Sequence, residues 1–310
     1  VARRIIATWR HLIAACDGDT AGEPTLVACS GGADSTALSL ALACTGTRLT
    51  LAFARHGARP VPDVDRDQGA VEDLAASLGA EFIALDCVSA DGPSPTEADM
   101  RRHRYAALAK EARRRAIRFI ASGHHADDQL ETVLLALLRG AGPQGMAGVP
   151  ASRSIDDLTP PVSLLRPMLD ITRREAEELC RDAGVHPPGE GGLEWAEDGT
   201  NADIRYTRNR VRHEVAPMLE QMQPGVAARV SRSAELFRQL AIILRARVQE
   251  FDSRCGSDAG RHQRSWPRSE LRSLQPIEIG ELLRLVVEDR FDLRGLDRLD
   301  SRSLLNIASV

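Results

Sequence analysis

Val27-Ala28-Cys29-Ser30-Gly31-Gly32-Ala33-Asp34-Ser35-Thr36 joins an apolar run to a helical pattern through two adjacent glycines. An apolar run ends at Cys29, two glycines allow a tight turn and close approach of a ligand, and a helical pattern begins near Ser35. A strand–turn–helix of this kind aims unpaired backbone N–H groups and the positive end of a helix at one point, a ready anion site. The hydroxyls of Ser30 and Ser35 can add hydrogen bonds to phosphate oxygens. Asp34 is different in kind, because a carboxylate beside bound polyphosphate repels it unless a cation lies between them, and magnesium is the natural choice. The plainer alternative is an ordinary turn in which Asp34 or Ser35 caps the helix.

Outward from this loop the first half of the chain alternates short apolar runs with longer helical patterns. Thr25 to Cys29, Leu49 to Ala54, Glu81 to Leu85 and Arg118 to Ala121 read as buried strands; Ser35 to Cys44, Val64 to Leu78, Glu97 to Arg115 and Ala126 to Leu138 read as helices. Strict alternation implies an α/β fold, a doubly wound, mostly parallel sheet with right-handed crossovers. Ligands then sit at the carboxyl ends of the strands, among the loops after Cys29, Ala54, Leu85 and Ala121. Residues 139–161 and 184–192 are rich in Gly and Pro and read as connections. Pro224-Gly225 marks a domain boundary, dividing the chain into 1–223 and 224–310. Beyond it Val226, Val230, Phe237, Leu240, Ala241, Leu244, Val248 and Phe251 recur at spacings of three and four, one long amphipathic helix, and Ile277 to Val287 and Leu296 to Ile307 read as further helices.

Lys and Arg total 40, yet Lys110 is the single lysine, which excludes a Walker-type Gly-Lys-Ser/Thr and leaves little room for a Schiff-base lysine. Net charge −4 with 43% hydrophobic residues describes a globular chain, but the charge is segregated. Residues 101–118 carry net +7, residues 205–247 net +6, and residues 63–99 net −9. Basic islands beside an acidic segment can bind a polyanion on one face, although charge runs are more often solvated helix faces. The 6 cysteines contain no Cys-x-x-Cys, so reduced thiols in a cytoplasmic protein are expected, without zinc knuckle or redox pair. The basic, amphipathic start is unlike a signal peptide, a start at Val1 implies a trimmed chain, and no apolar stretch is long enough for a membrane span.

Two further stretches carry chemistry. Ser122-Gly123-His124-His125-Ala126-Asp127-Asp128-Gln129-Leu130-Glu131-Thr132 falls where the fourth strand meets its helix. Imidazoles and carboxylates at such a place can bind metal, move protons or clamp a nucleotide, and helix capping by Asp127 is the plain alternative. In Asp198-Gly199-Thr200-Asn201-Ala202-Asp203-Ile204-Arg205-Tyr206-Thr207-Arg208-Asn209-Arg210-Val211-Arg212, the guanidiniums of Arg205, Arg208 and Arg212 share one helical face and could meet phosphates or a carboxylate.

The Ser-Gly-Gly-x-Asp-Ser loop resembles that of the PP-loop ATP pyrophosphatases, with Ala33 at the variable position. All three motifs in this order resemble the tRNA(Ile)-lysidine synthetase family, supported by Glu97 to Tyr105 and by Arg166-Pro167-Met168. The resemblance runs from about Val27 to Leu219. It implies an adenine nucleotide alpha hydrolase-like fold in residues 1–223, a helical tRNA-binding domain in 224–310, ATP as co-substrate, and free lysine and the CAU-anticodon tRNA(Ile) as partners. By resemblance, Ser30, Gly31, Gly32, Ala33, Asp34, Ser35, His56 and His124 bind ATP. Asp34 and Asp128 hold Mg2+, and together with Arg205, Arg208 and Arg212 they are the catalytic set. His125, Glu131, Asn201, Tyr206 and Asn209 face substrate or tRNA. A homodimer is compatible with this picture. Where the family shows Asp-His-Gly-Leu-Arg, this chain has Arg55-His56-Gly57-Ala58-Arg59, and its end falls about where a first C-terminal domain of longer members ends. A tRNA 2-thiolation enzyme on the same fold, usually with paired cysteines, and a catalytically idle nucleotide- or RNA-binding relative are the alternatives.

Overall fold

The computed structural model describes residues 1–20, 22–55, 60–87, 97–156, 159–196, 207–260 and 263–291. The first half runs α1 (Ala2–Ala14), β1 (Thr25–Ala28), α2 (Ala33–Ala43), β2 (Leu49–Arg55), α3 (Val61–Leu78), β3 (Glu81–Asp86), α4 (Glu97–Arg114), β4 (Phe119–Ser122) and α5 (Ala126–Leu138). It continues through α6 (Pro143–Met146), β5 (Ser152–Ser154), β6 (Ser163–Leu165), α7 (Arg173–Asp182), β7 (Val185–His186) and β8 (Leu193–Glu194). After α8 (Thr207–Arg210) one π-helical turn covers Val211–Val215, then come α9 (Ala216–Met222), α10 (Val226–Cys255), β9 (Ser257–Gly260), β10 (Gln263–Ser265), α11 (Arg268–Leu271) and α12 (Pro276–Phe291).

The alternation of strand and helix produces the expected sheet, in the order β3-β2-β1-β4-β6-β5. Neighbouring strands are parallel except β5, which runs antiparallel to β6 at the edge. β1 lies inside, its Thr25, Leu26 and Val27 fully buried, because a parallel sheet is covered by helices on both faces. One face packs Ile5, Trp9 and Ile13 of α1 and Leu38 and Leu42 of α2; the other packs Tyr105 and Leu108 of α4 against Leu26, Ile120 and Leu164. The helices start and stop by ordinary rules: Thr172 and Glu175 form a capping box on α7, and Gly79 closes α3 with φ 62°.

The chain forms two compact units, residues 1–128 with 150–228, and 129–149 with 229–310. The sheet belongs to the first. In the second, Val248 and Phe251 of α10 pack on Leu282 of α12, while Leu236, Leu240, Ile242 and Ile243 stay exposed. The expected helix at Leu296 to Ile307 lies outside the described residues. Among the described residues no helix is long and apolar enough to cross a membrane.

Candidate functional site

The end of β1 shows how the glycine-rich loop works. Gly31 adopts φ 87°, a conformation that favours glycine, and a Cβ there would also stand 3.1 Å from the Asp67 carbonyl oxygen. Its own carbonyl accepts from the Ala196 N–H at 2.8 Å. Gly32 is the N-cap of α2 and no side chain caps it, so neither Asp34 nor Ser35 takes the capping role open to them in the sequence. The first-turn N–H groups are thus left for a ligand. The Ser35 hydroxyl instead braces the loop: it donates to the Gly32 carbonyl at 3.0 Å and accepts from the Ser30 N–H at 3.2 Å. Ala33 is buried beneath the turn and its carbonyl accepts from the Cys180 thiol at 3.3 Å.

β4, paired with β1, delivers the second motif to the same place. Gly123 is the hinge of this approach, for a Cβ there would lie 2.9 Å from the Asp34 carbonyl carbon and oxygen and 3.0 Å from the Ser35 nitrogen. His125 then sits almost wholly buried among three carboxylates, with Nε2 3.4 Å from Asp34 Oδ2 and 3.7 Å from Asp128 Oδ2, and Nδ1 3.4 Å from Asp127 Oδ2. These are charge contacts longer than ordinary hydrogen bonds. Burial opposes a charged imidazole, but Asp128, Asp34 and Asp127 outweigh it and raise His125 well above the usual histidine value. His124, one residue earlier, goes the other way: burial, helped by Arg166, Arg101 and Arg104, pushes it down to about 3 despite Asp128. Its Nδ1 shares a 3.0 Å hydrogen bond with the Ser122 hydroxyl. The neighbouring histidines therefore differ in charge at neutral pH.

The carboxylates are fixed in turn. Burial would raise Asp128, yet the His125 imidazolium, the His125 N–H at 3.0 Å and the Arg212 guanidinium hold it below the usual aspartate value. Arg212 Nη2 donates to Asp128 Oδ1 at 3.3 Å, which brings the third motif to the second. Asp127 accepts from the Arg173 N–H at 2.8 Å, at the start of α7. Asp34 Oδ1 is buried without a hydrogen-bond partner, an oxygen suited to a cation. Among the described residues no three or more His, Cys, Asp or Glu side chains are arranged to hold a metal by themselves. Mg2+ does not require such a cage, since it usually takes one or two carboxylates, waters and substrate phosphates.

Of the remaining expected residues, Arg208 and Asn209 are half-buried on α8, and Val211–Val215 forms a π-helical turn that changes the simple three-and-four spacing to Arg212. Glu131 is buried on the part of α5 that belongs to the second unit. His56, Asn201, Arg205 and Tyr206 lie outside the described residues. Sequence reading missed Gly123 as a packing glycine and the backbone ties from Ala196 and Arg173, none of which has a local signature. A cavity of about 520 Å³ in the second unit, lined by Pro143, Leu244 and Ile277 among others, contains none of the expected site residues.

A glycine-rich turn at the inner strand β1 and a carboxylate-rich turn at β4 define a PP-loop protein, and a family model described as a PP-loop domain matches residues 6–219. The chain is 40% identical over 221 residues to the tRNA(Ile)-lysidine synthase of Salinispora arenicola, covering 69% of this chain and 62% of that protein. It is 38% identical over 248 residues to the tRNA(Ile)-lysidine synthase of Bordetella bronchiseptica, covering 78% and 69%. The chain belongs to the tRNA(Ile)-lysidine synthase family of PP-loop proteins. It spans about three fifths of the length of the first of these relatives. The U34-tRNA thiolase NcsA from Methanococcus maripaludis, 16% identical, superposes with a TM-score of 0.57 over 76% of this chain and 80% of that one, and shares the fold.

Proposed function

We propose that this protein uses ATP to join free lysine to C2 of the wobble cytidine in the CAU anticodon of tRNA(Ile), in the cytoplasm. In this reading residues 1–223 carry the chemistry and the helices of 224–310 hold tRNA. One observation carries it: the uncapped N-terminus of α2, the partnerless Asp34 oxygen and the Asp128–Arg212 pair converge within the first unit.

The reaction has two steps. The cytidine O2 attacks the α-phosphorus of ATP and pyrophosphate leaves; the lysine amine then displaces AMP at C2, losing a proton. The N–H groups at Gly32, Ala33 and Asp34, with the Ser30 hydroxyl, hold the leaving pyrophosphate in place. Asp34 and Asp128 are the residues that would hold Mg2+, which when bound supplies positive charge against the phosphates. The buried His125 imidazolium helps to hold Asp127 and Asp128 ionised against the effect of burial. His124, held neutral with a pKa of about 3, is far too weak a base to move protons at pH 7, so it orients nucleotide or base by hydrogen bonding. Arg212, and with it Arg208 and Arg205, offers guanidinium forks to the α-phosphate or the target nucleotide. Asn201, Tyr206 and Asn209 complete the substrate side. An anticodon loop presents unpaired bases, so the cytidine can enter without melting a duplex.

A sulfur-transfer reading finds no support in the thiols: burial pushes Cys180 up to about 12 and raises Cys29 as well, leaving both protonated and poor nucleophiles. The test is to trap the intermediate. With α-labelled ATP and magnesium but no lysine, a CAU-anticodon transcript becomes labelled, and added lysine releases the label as AMP. Label that fails to enter RNA, or that lysine cannot chase, contradicts the reading.

A further inference from the structure

We propose that Arg101, Arg104, Arg153 and Arg166, gathered round the Tyr105 ring, form an oxyanion-binding subsite that takes a phosphodiester of the RNA substrate. The proposal rests on the tRNA reading above and adds a place where the RNA backbone is held. Arg101 stands one turn before Tyr105 on α4 and Arg104 directly precedes it, with guanidinium carbons 5.6 and 5.7 Å from its ring centre. Arg153, from the edge strand β5, reaches the same ring at 4.9 Å. Arg166 follows β6 directly and is 1% exposed. Its Nη1 donates to the Pro150 carbonyl at 2.7 Å, but its Nε is buried without a hydrogen-bond partner.

Four guanidiniums at one spot call for a counter-charge. None of them forms an ion pair among the described residues, whereas Arg102, the next residue along, is exposed and bound to Asp99 at 2.6 Å, and Arg113 is bound to Asp156 at 2.7 Å. The ring face offers only a quadrupole, which offsets part of the repulsion. Arg166 is the buried member, a buried guanidinium without an anion is costly, and an oxyanion bound among the four offsets their charge. Burial, with Arg153 and Arg101, lowers Arg166 to about 10 although it hydrogen-bonds Tyr105, and Arg101, Arg166 and Arg104 bring Tyr105 below the ordinary tyrosine value although burial opposes this.

Position selects the ligand. β6 lies two strands from β1, roughly 10 Å at the usual spacing, so this anion is not the one on the glycine-rich loop. Arg166, Arg101 and Arg104 act on His124, so a bound phosphodiester would sit where a nucleotide beside His124 continues into its chain. The carboxylate of the amino acid offers the same oxyanion chemistry and is the competing source.

The experiment measures binding of a CAU anticodon stem-loop RNA to the full chain by fluorescence anisotropy across a range of salt. The variants are Arg104→Gln, Arg153→Gln and the control Arg102→Gln. Loss of a phosphate contact at Arg104 or Arg153 raises Kd several-fold and lowers the slope of log Kd against log salt by about 0.7, with ATP affinity and melting temperature unchanged. Kd and slopes matching those of Arg102→Gln overturn the subsite. A raised KM for lysine with unchanged RNA binding assigns the oxyanion to the amino acid and overturns the phosphodiester. Failure of the unsubstituted protein to bind the RNA overturns the tRNA reading itself.

Discussion

Gly123→Ala tests how the two halves of the site are held together. The added Cβ would lie 2.9 Å from two backbone atoms of Asp34 and 3.0 Å from the Ser35 nitrogen, against about 3.4 Å or more for ordinary contact. The deficit of about 0.5 Å falls on backbone, not on a side-chain end that can turn away. Either the first turn of α2 or the end of β4 must shift by that amount. Overpacking of this kind costs about 1–3 kcal/mol, a fall of a few degrees in Tm for a unit of this size. Because the shift is at the phosphate-binding turn, ATP affinity should fall about tenfold, equivalent to about 1.4 kcal/mol. Isothermal titration with ATP and magnesium, beside thermal melting, reads both effects. Gly69→Ala is the control: nothing lies within 4 Å of its Cβ position on α3, so it should stabilise by up to about 1 kcal/mol and leave ATP binding unchanged. Gly123→Ala protein that binds ATP like the parent and melts at the same temperature refutes the close-approach argument.

The paired histidines make a pH prediction. The unfolded chain takes up the His124 proton near pH 6.5 but the folded protein only near 3, so this group removes stability as pH falls between those values, by at most about 1.4 kcal/mol per unit. His125 has the opposite sign: its contribution is complete below pH 6.5 and is lost as pH rises through its elevated folded value. Histidine-resolved NMR titration should show one ring neutral well below pH 6.5 and one charged well above it; two ordinary titrations near 6.5 contradict the assignment. Asp34→Asn removes one of the three carboxylates facing His125 and should lower the pKa of that ring in the same NMR measurement; an unmoved value contradicts the contact. Replacing Arg208 and Arg212 by Gln should reduce activity more than replacing Arg245 and Arg247, which pair with carboxylates of α12; equal losses would mean general attraction for RNA rather than a site.

Much of this arrangement was legible from residue order. The apolar runs at β1, β2 and β4 are buried and announce themselves without a partner in view, and Ser30 to Ser35 carries its turn in its glycines. β3, expected to be buried as well, is instead an edge strand of the described sheet with Glu81, Ala84 and Asp86 exposed, because no strand covers its outer side. β5 and β6 were not legible: Ser152-Arg153-Ser154 has no alternation, and Ser163-Leu164-Leu165 is three residues long beside two prolines, so pairing rather than pattern makes them strands. The different protonation states of His124 and His125 are equally hidden, because adjacent residues of one type diverge only when one faces three carboxylates and the other is buried near arginines. The grouping of residues 129–149 with the C-terminal helices is a tertiary fact of the same sort. Arg166 appears in the sequence only as part of an Arg-Pro-Met turn; its burial against Tyr105 is what makes it a candidate for binding.

Lysine ligation itself is measured by incubating the protein with ATP, magnesium, labelled lysine and a CAU-anticodon tRNA(Ile) transcript. Label should enter the RNA only with ATP present, should be absent when the wobble cytidine is replaced, and should disappear with Asp34→Ala. No label, or label that persists in the Asp34→Ala protein, would contradict the proposed ligation.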